Sequence, residues 1–226
     1  VIKGWEKETG KKEIIGLSTT KDVQDAILAD PARAGIVDLI DIRYWHYQED
    51  GKAYEPKGGQ NLAPRQHARL LKPKRTSFEQ VYRSVSEYKQ KFPTKAVMYS
   101  GDNYDRFGWA VLMAGGSMPV LPQLDKTFLA DAYRMKPVVD TAAKNQWMLK
   151  VNDGCIVYAT GEEPIQMQLA AGNYTLRYVN PGSGTVSKEE SIRGGNVIAI
   201  NWPHGPVVLW VTANQKSTQH EASIQK

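Results

Sequence analysis

One long polar segment of the chain, residues 43–75, is rich in aromatic side chains. It contains Tyr44, Trp45, His46, Tyr47 and Tyr54. A loop of more than about 15 residues in a compact domain is usually functional or disordered, and this segment is too aromatic for disorder. Aromatic rings can cover the apolar face of a ligand, while arginine, histidine and amide groups hydrogen-bond its polar rim. The segment is therefore interpreted as a binding loop.

Basic residues in the same segment raise the question of nucleic-acid binding. No acidic residue separates Arg65, Arg69, Lys72, Lys74 and Arg75. The whole chain of 226 residues carries 29 basic and 24 acidic side chains, which is a mild excess of +5. Nucleic-acid-binding proteins usually combine such a cluster with a recognisable fold motif, and the sequence has none. We expect no nucleic-acid partner and interpret the cluster as a solvated loop.

The sequence gives little support to metal, thiol or membrane chemistry. Cys155 is the only cysteine, which excludes an internal disulfide and a cysteine-rich zinc site. The four histidines are far apart, without the spacing of metal ligands: His46, His67, His204 and His220. No apolar run approaches the roughly 18 residues that a membrane span needs. We expect no metal, no cofactor and no membrane span.

Predicted strands and helices alternate through the first 140 residues. The predicted strands span residues 13–18, 36–42, 95–99 and 118–121. The predicted helices begin after Thr20, after Ser77, near Phe107 and at Asp125. This alternation is typical of an α/β fold, in which a parallel sheet is connected by right-handed crossover helices.

The pattern changes from residue 146 onward, where only short strands and turns are predicted. These strands span residues 147–151, 155–159, 164–169, 174–179, 185–192, 196–200 and 207–212. Glycine, asparagine and proline turns separate them, as at Asn152-Asp153-Gly154. Seven short strands of this kind predict a small antiparallel β-sandwich. The predicted domains are therefore residues 1–140 and 141–226.

Four β/α units make half of an eight-stranded barrel, and a whole barrel takes about 250 residues. The first domain is thus either a small open α/β domain or the second half of a barrel. The residues favour the second option. The stretches IIGLSTTKDVQDAILADP, VDLIDIRYWHYQEDGKAYEPKGGQNLAPRQ and KAVMYSGDNYDRFGWAVLMAGGSMPVL resemble the later strands of apiosidase-like (β/α)8 glycoside hydrolases.

The strand-rich tail extends this resemblance over nearly the whole chain. Its stretch GCIVYATGEEPIQMQLAAGNYTLRYVNPGSGTV is similar to the putative collagen-binding β domain that follows the barrel in that family. The resemblance implies that the four predicted strands are the fifth to the eighth of a TIM-type barrel. It also implies a cofactor-free enzyme that hydrolyses glycosidic bonds in a plant or host polysaccharide at an extracytoplasmic site.

A glycosidase needs two carboxyl groups, and barrel enzymes place such groups at the carboxyl ends of strands. The family has its acid/base residue after the fourth strand, which this chain does not contain, and a glutamate nucleophile shortly after the seventh. Here the corresponding stretch reads Ser100-Gly101-Asp102-Asn103. Asp102 is therefore the candidate catalytic residue, and the alternative is that Asp102 is an ordinary turn residue.

The resemblance also suggests which residues bind the sugar. Tyr44, Trp45 and His46 follow the sixth strand, and Arg65 and Gln66 would fold over the same mouth of the barrel. Asp41 precedes them within the strand. We expect its side chain to point into the barrel, with Arg43 as a possible partner.

Two functions remain open from the sequence. The first is a glycoside hydrolase, and the second is a non-catalytic carbohydrate-binding or scaffold protein in which Asp102 is structural. Half a barrel exposes two sheet edges and an apolar inner layer. Since the chain opens at Val1 without a methionine, we expect it to be a mature product or a piece of a longer protein. The missing barrel half or a partner chain would then cover those edges.

Overall fold

The chain divides into two units, Val1–Leu121 and Pro122–Lys226, in the computed structural model. The structure describes residues 2–54, 76–101, 103–138, 144–202 and 205–214. No helix in these residues is both long enough and apolar enough to cross a membrane.

The first unit mixes helices with short strands. Its described helices are α1 (Ile2–Thr9), α2 (Lys21–Ala29), α3 (Pro31–Ala34), α4 (Phe78–Lys91) and α5 (Gly108–Met113). Its described strands are β1 (Gly16–Ser18), β2 (Leu39–Ile42), β3 (His46–Tyr47), β4 (Ala53–Tyr54) and β5 (Ala96–Tyr99).

Three parallel strands form the sheet of this unit in the order β1–β2–β5. Side chains alternate between the two faces of a strand, so Ile40 and Ile42 point one way and Asp41 points the other. Ile40 and Ile42 share a buried core with residues of the helices and of β5. That core includes Leu28, Val81, Val85, Tyr88, Val97, Tyr99, Ala110 and Val111. The predicted α/β arrangement is confirmed for three strands, and the described residues contain no closed barrel.

The best-defined helix of the unit is α4, which begins after Ser77. The Ser77 hydroxyl accepts a hydrogen bond from the backbone N–H of Gln80 at 3.3 Å, as expected of an N-cap residue. Val81, Val85 and Tyr88 recur at helical spacing and are buried against the sheet. The predicted helix from Ser77 to about Lys91 is therefore confirmed.

The fourth predicted strand, residues 118–121, is not formed. Met118 has a φ angle of 55°, and its side chain is exposed. A residue in the left-handed region breaks the hydrogen-bond ladder that a strand requires. A backbone hydrogen bond from Ser117 N to Val97 O, 2.6 Å long, does join the start of this segment to β5. The prediction of a strand here is wrong because the chain turns away after that contact.

The second unit is built mainly from strands. Its elements are α6 (Lys126–Arg134), β6 (Lys136–Pro137), β7 (Gln146–Val151), β8 (Gly154–Ala159), β9 (Ile165–Gln168), β10 (Asn173–Val179), β11 (Val186–Arg193), β12 (Val197–Ile200) and β13 (Val207–Ala213). All seven strands predicted after residue 146 are present, each within about two residues of its predicted ends.

These strands form two antiparallel sheets. One has six strands in the order β11–β10–β13–β8–β7–β6, and the other pairs β9 with β12. Ile165 and Met167 of the small sheet belong to the same buried cluster as Leu176 and Leu209 of the large one. Apolar contact between the sheets agrees with the predicted sandwich. The assignment of a β-sandwich fold stays a prediction.

Helix α6 is part of the second unit because it packs on the large sheet. The ring of Phe128 meets the ring of Trp210 edge-on at 5.4 Å, and the Trp210 indole N–H donates to Asp131 at 2.8 Å. The contacts therefore divide the chain at Leu121/Pro122, whereas the sequence places the boundary at 140/141. The structure therefore assigns α6 and its flanking residues to the second unit, whereas the sequence assigned them to the first domain.

A close backbone approach fixes the start of α5 and yields a stability prediction. A Cβ atom added to Gly108 would lie 1.6 Å from the carbonyl oxygen of Val120, so any side chain must displace that segment. We expect Gly108→Ala to lower the free energy of unfolding by about 1–3 kcal/mol or more, measured by denaturant unfolding. The control is Gly4→Ala in α1, where nothing lies within 4 Å. Alanine should stabilise that helix by up to about 1 kcal/mol. Equal stability of the two variants would contradict this packing.

Candidate functional site

The carboxyl ends of the three parallel strands carry polar side chains on the face opposite the buried helix-facing core. Ser18 ends β1 and is in register with Asp41 of the central strand. Ser100 directly follows β5. The same face also carries two apolar side chains: Leu39 lies toward the amino end of β2, and Met98 of β5 is in register with Asp41. The polar end of this face is the edge at which open parallel sheets usually bind ligands.

Asp41 is the centre of this strand-end polar group, which we define as Ser18, Asp41 and Ser100. The Ser18 hydroxyl donates to one carboxylate oxygen of Asp41 at 2.8 Å, and the Ser100 hydroxyl donates to the other at 2.6 Å. Asp41 is 9% exposed. The two hydrogen bonds connect the carboxylate of the central strand to both neighbouring strands and fix its orientation.

Asp41 points to the face opposite the buried core, whereas its direction into a closed barrel stays a prediction, and its expected partner is not the one observed. Both Asp41 oxygens are bound by serine hydroxyls, and Arg43 is exposed. The Arg43 guanidinium lies 5.6 Å from the centre of the Tyr44 ring. The prediction of an Asp41–Arg43 pair is wrong, because the neighbouring strands supply the donors instead.

Trp45 lies in the core of the first unit. Its indole is 1% exposed, and its N–H points to the side-chain oxygen of Gln24 at 3.4 Å. The rings of Tyr47 and Tyr88 lie 5.4 and 5.8 Å from it. A sugar ring could reach this indole only if the neighbouring side chains moved. Its role as a sugar contact stays a prediction, while its packing role is observed.

Charged groups surround that aromatic core in an arrangement that we call the lysine–tyrosine cluster: Lys21, Asp25, Tyr47, Glu87 and Tyr88. Lys21 forms ion pairs with Asp25 at 2.7 Å and with Glu87 at 3.2 Å. The Tyr47 hydroxyl donates to Glu87 at 2.5 Å, and the Tyr88 hydroxyl donates to Asp25 at 2.6 Å. The cluster joins α2, α4 and the segment that follows β2.

The pKa shifts in the cluster favour the charged forms of Lys21 and Glu87 and the neutral forms of the two tyrosines. Burial raises the pKa of Tyr47 and of Tyr88, and their hydrogen bonds to carboxylates raise it further. Burial also opposes ionisation of Glu87, but hydrogen bonds from Lys91 and Tyr47 and the charge of Lys21 outweigh it and lower the pKa. For Lys21, the two carboxylates outweigh the effect of burial and raise the pKa. Both tyrosines therefore stay neutral near pH 7, while Glu87 and Lys21 stay charged.

The hairpin β3–β4 is held against α4 by the same part of the helix. Arg83 donates to the carbonyl oxygen of Gly51 at 2.9 Å, and its guanidinium stacks 4.0 Å above the ring of Tyr47. Within the hairpin, the rings of His46 and Tyr54 stack at 5.1 Å. His46 and Tyr44 are half-buried, so both retain surface that a ligand could touch. The hairpin thus fixes part of the predicted binding loop.

Three residues predicted for the site, Asp102, Arg65 and Gln66, lie outside the residues that the structure describes. Their roles stay predictions. In the described part of the chain, no group of three or more histidine, cysteine, aspartate or glutamate side chains is arranged to hold a metal ion.

Sequence reasoning did not identify Ser18 and Ser100 as site residues. A signal was present, because each serine stands at or directly after the end of a predicted strand. It also missed the pairing of Lys21 with Glu87, which are 66 positions apart. No local pattern could have indicated that contact.

The chain belongs to the family described as Domain of unknown function (DUF6298), whose model matches residues 1–135. No curated protein matches the chain. The family assignment therefore carries no activity with it.

Solved structures do provide a similarity in fold. The chain is similar to a protein described as a glycoside hydrolase, at 13% identity and a TM-score of 0.50, over 82% of this chain and 54% of that one. It is also similar to a GH30 endoxylanase from Clostridium papyrosolvens C71, at 11% identity and a TM-score of 0.41, over 89% of this chain and 56% of that one. A subfamily 8 xylanase of glycoside hydrolase family 30 from Clostridium acetobutylicum matches at 13% identity and a TM-score of 0.40, over 94% and 59% of the two chains.

The chain spans a little over half the length of these solved proteins. The first similarity supports a glycoside-hydrolase-like fold, at an identity that shows the fold alone.

The lysine–tyrosine cluster predicts a pH dependence of stability. The pKa of Glu87 in the folded protein lies below its ordinary value of 4.5, so its contribution to stability is present above that value. The contribution is lost as the pH falls through the folded-state pKa. We expect Glu87→Gln to lower the free energy of unfolding at pH 7 by about 1–3 kcal/mol and to flatten the loss of stability on acidification. Thermal unfolding from pH 7 to pH 3 measures both effects.

The exposed Glu162 provides a matched control, since Glu162→Gln makes the same chemical change outside the cluster. Its stability should stay within about 0.5 kcal/mol of the unmodified protein. Parallel pH profiles for the two variants would show that the cluster does not contribute to the pH dependence.

Proposed function

We propose that this chain is part of a glycoside hydrolase that cleaves O-glycosidic bonds in a polysaccharide or oligosaccharide with paired carboxylates and no cofactor. The observation that carries the proposal is the position of Asp41. It is a carboxylate on the face of the parallel sheet opposite the buried core, at the carboxyl ends of the strands. The similarity in fold to a glycoside hydrolase supports the same proposal.

Asp102 is the proposed catalytic carboxylate within this chain. It follows Ser100 by two positions, and Ser100 belongs to the strand-end polar group. Tyr44 and His46 are proposed to contact the sugar, because both are half-buried and directly follow the central strand. Arg65 and Gln66 complete the proposed set of substrate contacts, and Trp45, whose indole is 1% exposed, would join them only after its neighbouring side chains move.

The finer features of the resemblance belong to this proposal. We propose an apiosidase-like enzyme with an extracytoplasmic location, and a tail comparable to the putative collagen-binding β domain of that family. The seven antiparallel strands after residue 146 support this view of the tail.

The catalytic role of Asp102 is tested by Asp102→Asn in the full-length protein. The amide preserves the shape but cannot act as a base or nucleophile, so we expect a loss of about a thousandfold or more in the rate of sugar release, with substrate binding kept. Reducing-sugar release from a panel of plant polysaccharides measures the rate. Asp105→Asn changes an exposed residue in the next turn and should leave the rate unchanged. Near-full activity of Asp102→Asn would make Asp102 a turn residue.

We also propose that additional chain or a partner completes the first unit. In the described residues β1 is an edge of the sheet, and Ile14 beside it is 81% exposed. The chain also covers only 54% of the glycoside hydrolase to which it is similar. An unpaired edge with apolar neighbours favours pairing with another strand. Intact-mass and native-mass measurements on protein from its source should give a mass above the 25.3 kDa of this chain. An active monomer of 25.3 kDa would contradict the proposal.

One observation favours a second function, a non-catalytic carbohydrate-binding or scaffold protein. Within the described strands β1, β2 and β5, Asp41 is the single carboxylate, whereas hydrolysis requires two. Binding of a polysaccharide without any release of reducing sugar would favour this second function over the first.

A further inference from the structure

We infer that Asp41 binds the carbohydrate directly, with its carboxylate accepting hydrogen bonds from two adjacent hydroxyl groups of a neutral sugar ring. Ser18 and Ser100 hold the carboxylate in position and flank the bound ring. This inference rests on the proposed function and assigns the residue that recognises the substrate.

The Asp41 side chain points away from the helix layer. Ile40 and Ile42, on either side of Asp41, are fully buried against the helix layer. Alternation therefore turns Asp41 to the opposite face of the sheet. It lies near the carboxyl end of the central strand, with a parallel strand on each side. A ligand bound at this end of the sheet meets Asp41 between two hydroxyls.

Both carboxylate oxygens of Asp41 can accept more hydrogen bonds than the two serines supply. A carboxylate has about four lone-pair sites, and the two serine hydroxyls use one on each oxygen. Each oxygen can therefore accept one more hydrogen bond. Two such oxygens match two neighbouring hydroxyl groups on a sugar ring, and each serine oxygen can accept a bond as well. The negative charge disfavours an anionic ligand, such as a phosphate or a carboxylate, by Coulomb repulsion.

The described partners of the Asp41 carboxylate include no cation. Asp41 is 9% exposed. In the described part of the chain its hydrogen-bond partners are neutral hydroxyls, and it forms no ion pair. Burying an anion without a cation is unfavourable. A ligand with several hydroxyl donors would supply further hydrogen bonds to this buried carboxylate. Hydrogen bonds to a charged acceptor are also the stronger kind.

The experiment measures sugar binding separately from catalysis and from stability. The full-length protein is titrated with neutral xylo-, cello-, manno- and galacto-oligosaccharides by calorimetry, and thermal unfolding is recorded for each variant. We expect Asp41→Asn to weaken binding by about tenfold to a hundredfold, because the amide presents one acceptor instead of two and carries no charge. The matched control is Asp38→Asn at the start of the same strand. Asp38 accepts a hydrogen bond from the backbone N–H of Ile15, and its variant should bind sugar like the unmodified protein.

Ser18→Ala provides a second variant if Asp41→Asn fails to fold. Ser18 is exposed, so its replacement removes one donor to Asp41 with little effect on folding. We expect a loss of binding of about threefold to tenfold at an unchanged unfolding temperature. A merely structural role for Asp41 would instead lower the unfolding temperature and leave the dissociation constant unchanged.

The possible outcomes separate this inference from the proposed function. Wild-type protein that binds sugar, together with an Asp41→Asn or Ser18→Ala variant that binds it equally well, would overturn the inference alone. Wild-type protein that binds and hydrolyses none of the sugars would overturn both. Weaker binding by both variants, with Asp38→Asn unaffected, would establish Asp41 as the residue that recognises the sugar.

Discussion

The parallel register of three short strands determines both the buried core of the first unit and the polar group at its strand ends. It sets Ser18 opposite Asp41 and brings Ser100 beside Asp41 from the other side. Because side chains alternate along a strand, the same register turns Ile40 and Ile42 into the core. A shift of one residue in β2 would bury the carboxylate among apolar side chains and expose the isoleucines. Formation of the core and of the polar strand end therefore depends on a single register.

A second set of interactions holds the segment that leaves the central strand. The indole of Trp45 anchors it in the core, and the lysine–tyrosine cluster connects it to two helices. Opposite charges and tyrosine hydroxyls satisfy one another there, which makes burial of these groups tolerable. Arg83 fixes the hairpin that follows. The residues beside Trp45 therefore belong to a segment that the core holds in place. A segment fixed before a ligand binds lowers the entropic cost of binding.

The sequence predicted the elements better than the site. Helix α4 followed from the Ser77 cap and apolar residues at helical spacing, and the seven strands of the second unit followed from turns and alternation. The strand expected at residues 118–121 failed because the left-handed conformation of Met118 is not visible in an apolar run. The polar strand end and the pairing of Lys21 with Glu87 depend on contacts between distant residues. Such contacts arise only when strands and helices pack, so no local pattern indicates them.

We propose that a neutral sugar binds at the carboxyl ends of the parallel strands, on the face that carries Asp41. The decisive experiment is a crystal structure of the full-length protein soaked with an oligosaccharide that it binds in solution. We expect a sugar ring with two hydroxyl oxygens about 2.5–3.0 Å from the two carboxylate oxygens of Asp41. A sugar bound only at another surface, with Asp41 touching nothing but Ser18 and Ser100, would contradict it.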